Sequence, residues 1–519
     1  MSTEVLRDMI RFRNIVDRPP LQAFFEEDIL VPDIKPDAAR ICSSKIVPRL
    51  TEKECYGGNL KLGGDLYLEV IYIPSSSGEG GAETAFARIP FRHEGTFEDS
   101  GGELEVTPRV EHLEVSIINE RKFRMKTVIS FAVREYEDVE RNVFRGFREG
   151  DVEMMESSVS LTDAAGHKKD YIEVKDEIKI KEGMPEIGSI LRNDFRTVET
   201  YRQITPEKAI ISGTIYYDIL YMSDESSPEP VWMSGTTDYT QFIKLDGQEE
   251  VNGSDIRMKV DDVRAVPKRD EEDNMTLIEF TTGISTRIDT YKEKRINLVR
   301  DAYHSRDIMD AERDEINIRR FGGSGSADAS IREKIDLKSP EGIEKIAFIS
   351  GDAIAIGGEA ENGRFIVEGI LIPEILYSCR DDGSLRSTVS EIPFKAAVQV
   401  PGLKAGMEIN VEITVKNISG EKISEHQAEV YAEAAVLVKC FEKESISYIK
   451  NGALIEEAKD RDDNTTRLIM YVTKGGDTLW DIGKRYRTPL SEIKKINGMD
   501  ENLPPDTEME IGEKLLIWA

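Results

Sequence analysis

The sequence predicts a mainly β protein: three tandem all-β units, each a sandwich or small barrel, followed by a small β-α-α-β module. Three observations carry this. A nine-residue segment occurs three times, its side chains alternate at period two, and the last fifty residues switch to helical spacing. A chain of 519 residues has room for several folding units, and 39% hydrophobic residues supply their cores.

The repeat is GDLYLEVIY at 64–72, GTIYYDILY at 213–221 and GILIPEILY at 369–377, at offsets of 149 and 156 residues, with a glycine, an acid and a tyrosine in matching places. A proline precedes each copy, Pro36, Pro185 or Pro340, at 28, 28 and 29 residues before the glycine. An aromatic follows each, Tyr136, Tyr291 or Phe441, at 64, 70 and 64 residues beyond the tyrosine. Leu66, Leu68, Val70 and Tyr72 share one face, and Ile215, Tyr217, Ile219 and Tyr221 repeat it. Alternation with β-branched and aromatic residues indicates strands. Pro373 replaces Leu68 and Tyr217 in the third copy, and proline cannot donate to a ladder, so that strand is expected at an edge or with a bulge. The six extra residues of the second copy fall in the polar stretch 267–274, which predicts a longer hairpin loop.

Residues 1–20 read as an N-terminal segment, and the β units as 21–140, 169–296 and 328–446. The joins 141–168, 297–327 and 447–467 are charged or glycine-rich, the second ending in GGSGS at 322–326, and read as protease-sensitive tethers.

The module at 468–519 opens with Tyr471 to Thr473 and closes with Glu513 to Trp518, both strand-like. Leu479, Ile482 and Tyr486 form the stripe of a first helix, with Asp477 placed as its N-cap. A second helix follows with Thr488 as cap, Pro489 in its first turn, Leu490, Ile493 and Ile496 on its buried face, and Gly498 at its left-handed end.

Gly476-Asp477-Thr478-Leu479-Trp480, Ile482, Tyr486, Ile493, Asn497-Gly498, Gly512 and Leu515 resemble the LysM domain, which binds N-acetylglucosamine-containing glycans such as peptidoglycan. Thr473 and Trp518 depart from it, standing where valine and proline are usual. The resemblance implies a shallow groove for glycan or a partner between Gly476, Asp477, Thr478 and Leu479 on one side and Asn497, Gly498, Met499 and Asp500 on the other. Asp477 and Asn497 also read as plain cap and turn residues. Lys484, Arg485, Arg487, Lys494 and Lys495 gather on the two helices, either as an electrostatic partner patch or as a solvated face.

The G-x-[LI]-x-x-[ED]-[VI]-[IL]-Y pattern, the proline landmark and Asp301-Ala302-Tyr303 resemble the SPOCS domain of sporulation proteins. Three such units ahead of one LysM resemble a family of spore-coat morphogenetic proteins. That resemblance implies a scaffold in the mother-cell cytoplasm at the forespore surface, with the coat-basement morphogenetic ATPase and other coat proteins as partners.

Composition narrows the alternatives. The net charge of −30 repels phosphate backbones, so nucleic acid is not an expected partner. Residues 1–20 lack the apolar core of a secretory signal, and no apolar run is long enough to span a membrane. Cys42, Cys55, Cys379 and Cys440 have no C-x-x-C spacing and read as reduced. No P-loop or G-x-S-x-G is present, His93-Glu94 lacks the second histidine of a zincin, and His112, His167, His304 and His426 are scattered. No catalytic residue, metal ligand or cofactor site is expected. The competing readings are a wall-associated peptidoglycan-binding protein or hydrolase accessory, which needs export, and an enzyme with an unrecognised site in one repeat.

Overall fold

A computed structural model describes residues 4–75, 81–98, 101–148, 152–224, 228–245, 251–337, 342–381, 383–455 and 468–518. The first unit comprises β1 (Val5–Leu30), β2 (Ala38–Tyr56), β3 (Asn59–Pro74), β4 (Glu83–Thr96), β5 (Glu103–Asn119) and β6 (Lys122–Phe147). The second repeats it as β7 (Val152–Lys179), β8 (Ile187–Ile204), β9 (Lys208–Ser223), β10 (Pro230–Lys244), β11 (Gly253–Lys268) and β12 (Leu277–His304). The third has β13 (Ile308–Asp336), β14 (Ile343–Glu361), β15 (Arg364–Cys379), β16 (Leu385–Val389), β17 (Ile392–Gln399), β18 (Glu408–Lys422) and β19 (Gln427–Ile455). Each unit is an antiparallel sandwich: the sheet β2-β3-β4 lies on the sheet β1-β6-β5, and the other two units follow the same order. The predicted face of the repeat strand lines the first core, where Leu66, Leu68, Val70 and Tyr72 are all within 1% of complete burial.

The landmarks found in the sequence have physical reasons. The hydroxyl of Tyr72 donates to the Pro36 carbonyl at 2.9 Å, and that of Tyr221 to Pro185 at 3.0 Å, so proline and tyrosine clasp one end of the sandwich. Pro340 of the third copy lies outside the described residues. The repeat glycines pair with an aromatic on the neighbouring strand: Gly64 with Phe91, Gly213 with Tyr239 and Gly369 with Phe394. A Cβ would lie 2.8 Å from the Tyr239 hydroxyl at Gly213 and 2.5 Å from the Phe394 ring at Gly369, so a larger residue would have to displace the aromatic.

The tyrosine also marks a bulge. The strand facing it slips one residue in every copy, between Ile41 and Ser43, Ile190 and Arg192, and Ile346 and Phe348. A bulge re-aims a side chain. The extra residues, Cys42, Leu191 and Ala347, all enter one shared cluster with Ile71, Leu220 and Leu376, the residues just before the three tyrosines. The three sandwiches thus pack around a quasi-threefold axis through the strand face opposite their own cores. The repeat acids stand on that face too. Arg192, 1% exposed, donates to Glu69 at 2.8 Å and to Glu374 at 2.9 Å, while Asp218 pairs with Arg196 and accepts from the Trp232 indole at 3.1 Å.

The stretches read as tethers are instead strands. Residues 141–147 complete β6, 152–168 open β7, 297–304 end β12 and 308–327 open β13, with GGSGS paired against β19. Of the expected N-terminal segment 1–20, residues 5–20 form no separate piece, because β1 runs through Pro19 and Pro20 with a register shift at Arg18/Leu21. The local composition misled because these strands, 26–29 residues long, leave their own sandwich and form two-stranded ribbons. A ribbon alone buries little. Here the three ribbons share one core, in which Phe12 and Phe144 meet Leu161 and Leu298 of the second unit and Ile318 and Tyr448 of the third. Of the last join, 447–455 belongs to β19 and 456–467 lies outside the described residues.

Where ribbons leave sandwiches, a waist of buried charge binds the units. Tyr136 donates to Asp289 at 3.0 Å beneath the Arg287 guanidinium, 4.5 Å from the ring centre, and Arg319 lies 3.5 Å from the ring centre of Phe441. Burial pushes the Asp289 carboxyl up against the pull of Arg287; burial also raises Asp255, but Lys439 and Arg257 outweigh it and hold that carboxyl low.

Pro373 corrects a further expectation. Its strand is central, with β14 on one side and β16 and β17 on the other. The break falls on the partner instead: β16 pairs from Glu374 and β17 from Leu371, leaving Pro373 between them with its carbonyl accepting from Ser390 at 3.1 Å. Backbone N and O of one residue point the same way in an antiparallel strand, so the missing donor interrupts this side only. The longer hairpin of the second copy is present as residues 269–276 between β11 and β12, against residues 120–121 between β5 and β6.

Replacing Arg192 by Ala leaves the half-buried Glu69 and Glu374 without their shared cation. The expected cost is about 3–5 kcal/mol, read as a lower urea midpoint for the whole β body.

Candidate functional site

The C-terminal module has β20 (Leu468–Val472), α1 (Leu479–Tyr486), α2 (Leu490–Ile496) and β21 (Lys514–Trp518), with β20 and β21 antiparallel. Leu479, Ile482, Leu490 and Ile493 are buried together with Leu515 and Ile517, and Met499 and Leu503 pack onto them, which brings the two candidate loops against one small core. No helix among the described residues is long and apolar enough to cross a membrane.

Local chemistry differs from the expected caps. Thr478, not Asp477, caps α1: its hydroxyl oxygen accepts from the Asp481 amide at 3.1 Å, and Asp481 reaches back in a capping box. Asp477 braces the loop below, accepting from the Tyr471 hydroxyl at 2.6 Å and the Lys474 amide at 2.8 Å. Those bonds, with Arg485 nearby, hold its carboxyl below the ordinary range. Pro489 begins α2 with no side-chain cap, because the Thr488 hydroxyl donates to the Trp518 carbonyl instead. Gly498 takes the left-handed turn at φ 63°.

Asn497 is fully engaged inside the module. Its amide donates to the Ile493 and Leu516 carbonyls at 2.8 and 2.7 Å and accepts from the Leu516 amide at 2.8 Å, which ties α2 to β21. Gly476, Gly498 and Asp500 are exposed, Thr478 and Met499 half-buried, and Leu479 is buried. The surface open to a ligand is therefore backbone and short side chains from the two loops.

The five basic residues make different contacts. Arg485 donates to the Tyr471 hydroxyl at 2.7 Å and faces Asp477 at 3.5 Å, and Lys494 donates to the Glu501 carbonyl at 2.9 Å. Lys495 is exposed in the last turn of α2. Lys484 and Arg487 turn to the β body.

That contact seats the module on the tip of the second ribbon. Asp301 of β12 accepts from the Trp480 indole at 2.8 Å and from Lys484 at 2.6 Å, and Arg313 joins it at 2.8 Å. The Tyr303 hydroxyl donates to the Thr488 carbonyl at 2.8 Å, and its ring stands edge-on to Trp480 at 5.1 Å. Burial raises the Asp301 carboxyl, but Lys484 and Trp480 overcome it and set it below the ordinary range. The contact therefore holds at neutral pH and weakens on the acid side as pH falls through that lowered value. Sequence reading picked out Asp301-Ala302-Tyr303 as a family mark without its role; the signal was an acid and an aromatic at a strand end.

A second concavity, about 540 Å³, lies between the first and third ribbons. Its lining mixes Asp17, Glu315 and Glu408 with Arg18, Arg319 and Lys443, and holds neither histidine nor cysteine. Among the described residues no group of three or more His, Cys, Asp or Glu side chains is placed to hold a metal.

A family model described as SipL, SPOCS domain matches residues 37–118, 186–267 and 342–423, and one described as LysM domain matches 471–518. No curated protein and no solved structure matches the chain. The chain therefore carries three SPOCS domains of the SipL type and one LysM domain, in the order its repeats and tail predict. Both are binding domains rather than catalytic ones, and together they mark a sporulation-related protein with a peptidoglycan-binding type of module.

Replacing Asn497 by Ala strands the amide and the carbonyl of Leu516, while the Ile493 carbonyl keeps the residue-497 backbone amide. The module is expected to lose about 1–3 kcal/mol, seen as faster amide exchange at Leu516, with exchange in the sandwiches unchanged.

Proposed function

We propose that this three-SPOCS, single-LysM chain is a non-catalytic scaffold of spore coat assembly, which acts in the mother-cell cytoplasm and tethers coat layers to the forespore surface. The observation that supports it most is the union of three domains into one body with the LysM domain seated at its tip by Asp301 and Tyr303. Such a body presents separate surfaces to several partners at fixed spacing, which is what an adaptor requires and a catalyst does not. Its partners on this reading are the coat-basement morphogenetic ATPase, through the LysM domain, and other coat proteins, through the sandwiches.

The exposed loop residues Gly476, Gly498 and Asp500 favour a second use of the same module, binding of peptidoglycan or its precursors. A flat glycan is recognised by backbone groups and short side chains of this kind.

Removing residues 468–519 is expected to abolish capture of the ATPase in a pull-down while the sandwiches keep their β circular dichroism; undiminished capture rejects the LysM role. Calorimetric titration of the full chain with chitin oligomers separates the second use. Heat at millimolar ligand that disappears with the deletion supports it, and no heat removes it.

A further inference from the structure

The three ribbon tips are built alike but only one receives the LysM domain. The positions matching Asp301-Ala302-Tyr303 are Gly146-Phe147-Arg148 in the first unit and Asn451-Gly452-Ala453 in the third, which offer neither a carboxylate nor a phenol. The seat is specific to the second ribbon. On the other side, Trp480, Gly483 and Lys484 of α1 and Arg487 just after it face the seat. Gly483 lies inside a helix, where glycine costs about 1 kcal/mol relative to alanine. A Cβ there would stand 2.6 Å from the Tyr303 hydroxyl and 2.7 Å from Leu490, so the close approach of ribbon and α2 requires it.

We propose that Asp301 and Tyr303 form a latch: the LysM domain exchanges between a seated state, in which the Trp480–Lys484 face of α1 is covered, and a free state, in which that face is open. The reading holds whichever ligand the LysM groove takes. Two features make the latch reversible. Asp301 keeps Arg313 at 2.8 Å when the module leaves, so its carboxylate is not abandoned, and Lys484 is 44% exposed and rehydrates readily. Module and body belong to one chain, so reseating is intramolecular. The covered face carries an indole donor, a lysine and an arginine, so what competes with the latch is a segment presenting a carboxylate beside an aromatic ring, the chemistry of Asp301 and Tyr303 themselves.

The test is side-chain footprinting of the full chain read by mass spectrometry. Hydroxyl-radical oxidation of Trp480, 2% exposed when seated, and acetylation of Lys484 relative to Lys494 and Lys495 report the free state. Asp301→Ala is expected to raise both by threefold or more, with Lys494 and Lys495 unchanged. Lys484→Ala, made on the module side, is expected to raise Trp480 oxidation likewise. Asp301→Asn, which keeps the side-chain volume, replaces Asp301→Ala if that variant does not fold. Trp480 oxidation at the wild-type level in both the Asp301 and Lys484 variants overturns the latch.

Discussion

A two-stranded ribbon has two faces and cannot bury either by itself, and this constraint organises the whole molecule. Each unit extends its first and last strands well beyond its sandwich, exposing apolar residues such as Phe12, Leu298 and Ile318 that the sandwich cannot cover. Three ribbons together close a core. The units are therefore not beads on a string but parts of one object, with a second shared cluster at the bulges and a belt of buried charge between the two. Ion pairs of this kind add little net stability over apolar packing, but leaving one member unpaired is costly, which penalises misregistered arrangements.

The duplication is used asymmetrically. Glu69, Asp218 and Glu374 occupy one repeat position, yet a single arginine, Arg192, serves two of them, and Ser43 and Phe348 stand where symmetry would place its mates. Position 134 carries arginine where 289 is aspartate and 439 lysine. Three identical units would set like charges together on the axis; divergence at these positions turns repulsion into complementarity and fixes which unit neighbours which.

Much of this was legible in the sequence, within a physical limit. Period-two alternation located the repeat strands and their buried face, because a face against a sandwich core must be continuously apolar. The helices of the LysM domain followed from spacing in the same way. The ribbons did not, because polar residues alternate there with apolar ones that meet partners from other units, and glycine-serine runs such as 322–326 look like linkers when their pairing strand lies a hundred residues away. Pro373 was readable as a ladder defect, though which strand gives way depends on the side its carbonyl faces. At the module, Asp477 and Thr478 are adjacent and both able to cap, and only geometry chooses between them. Asn497 reads equally as ligand and brace until Leu516 is known to sit beside it.

The ends of the described β body have a mechanical meaning. Val5 pairs with Phe147, and Ile455 with Ile308, so β1 begins and β19 finishes at the ribbon tips. Force drawn through either terminus would unzip one backbone hydrogen bond at a time, the weakest way to load a sheet. With the LysM domain seated on Asp301 and Tyr303, pull on that domain passes instead into the middle of the chain, across packed side chains of a different ribbon. The seat works as a strain relief, sparing the terminal strand from peeling.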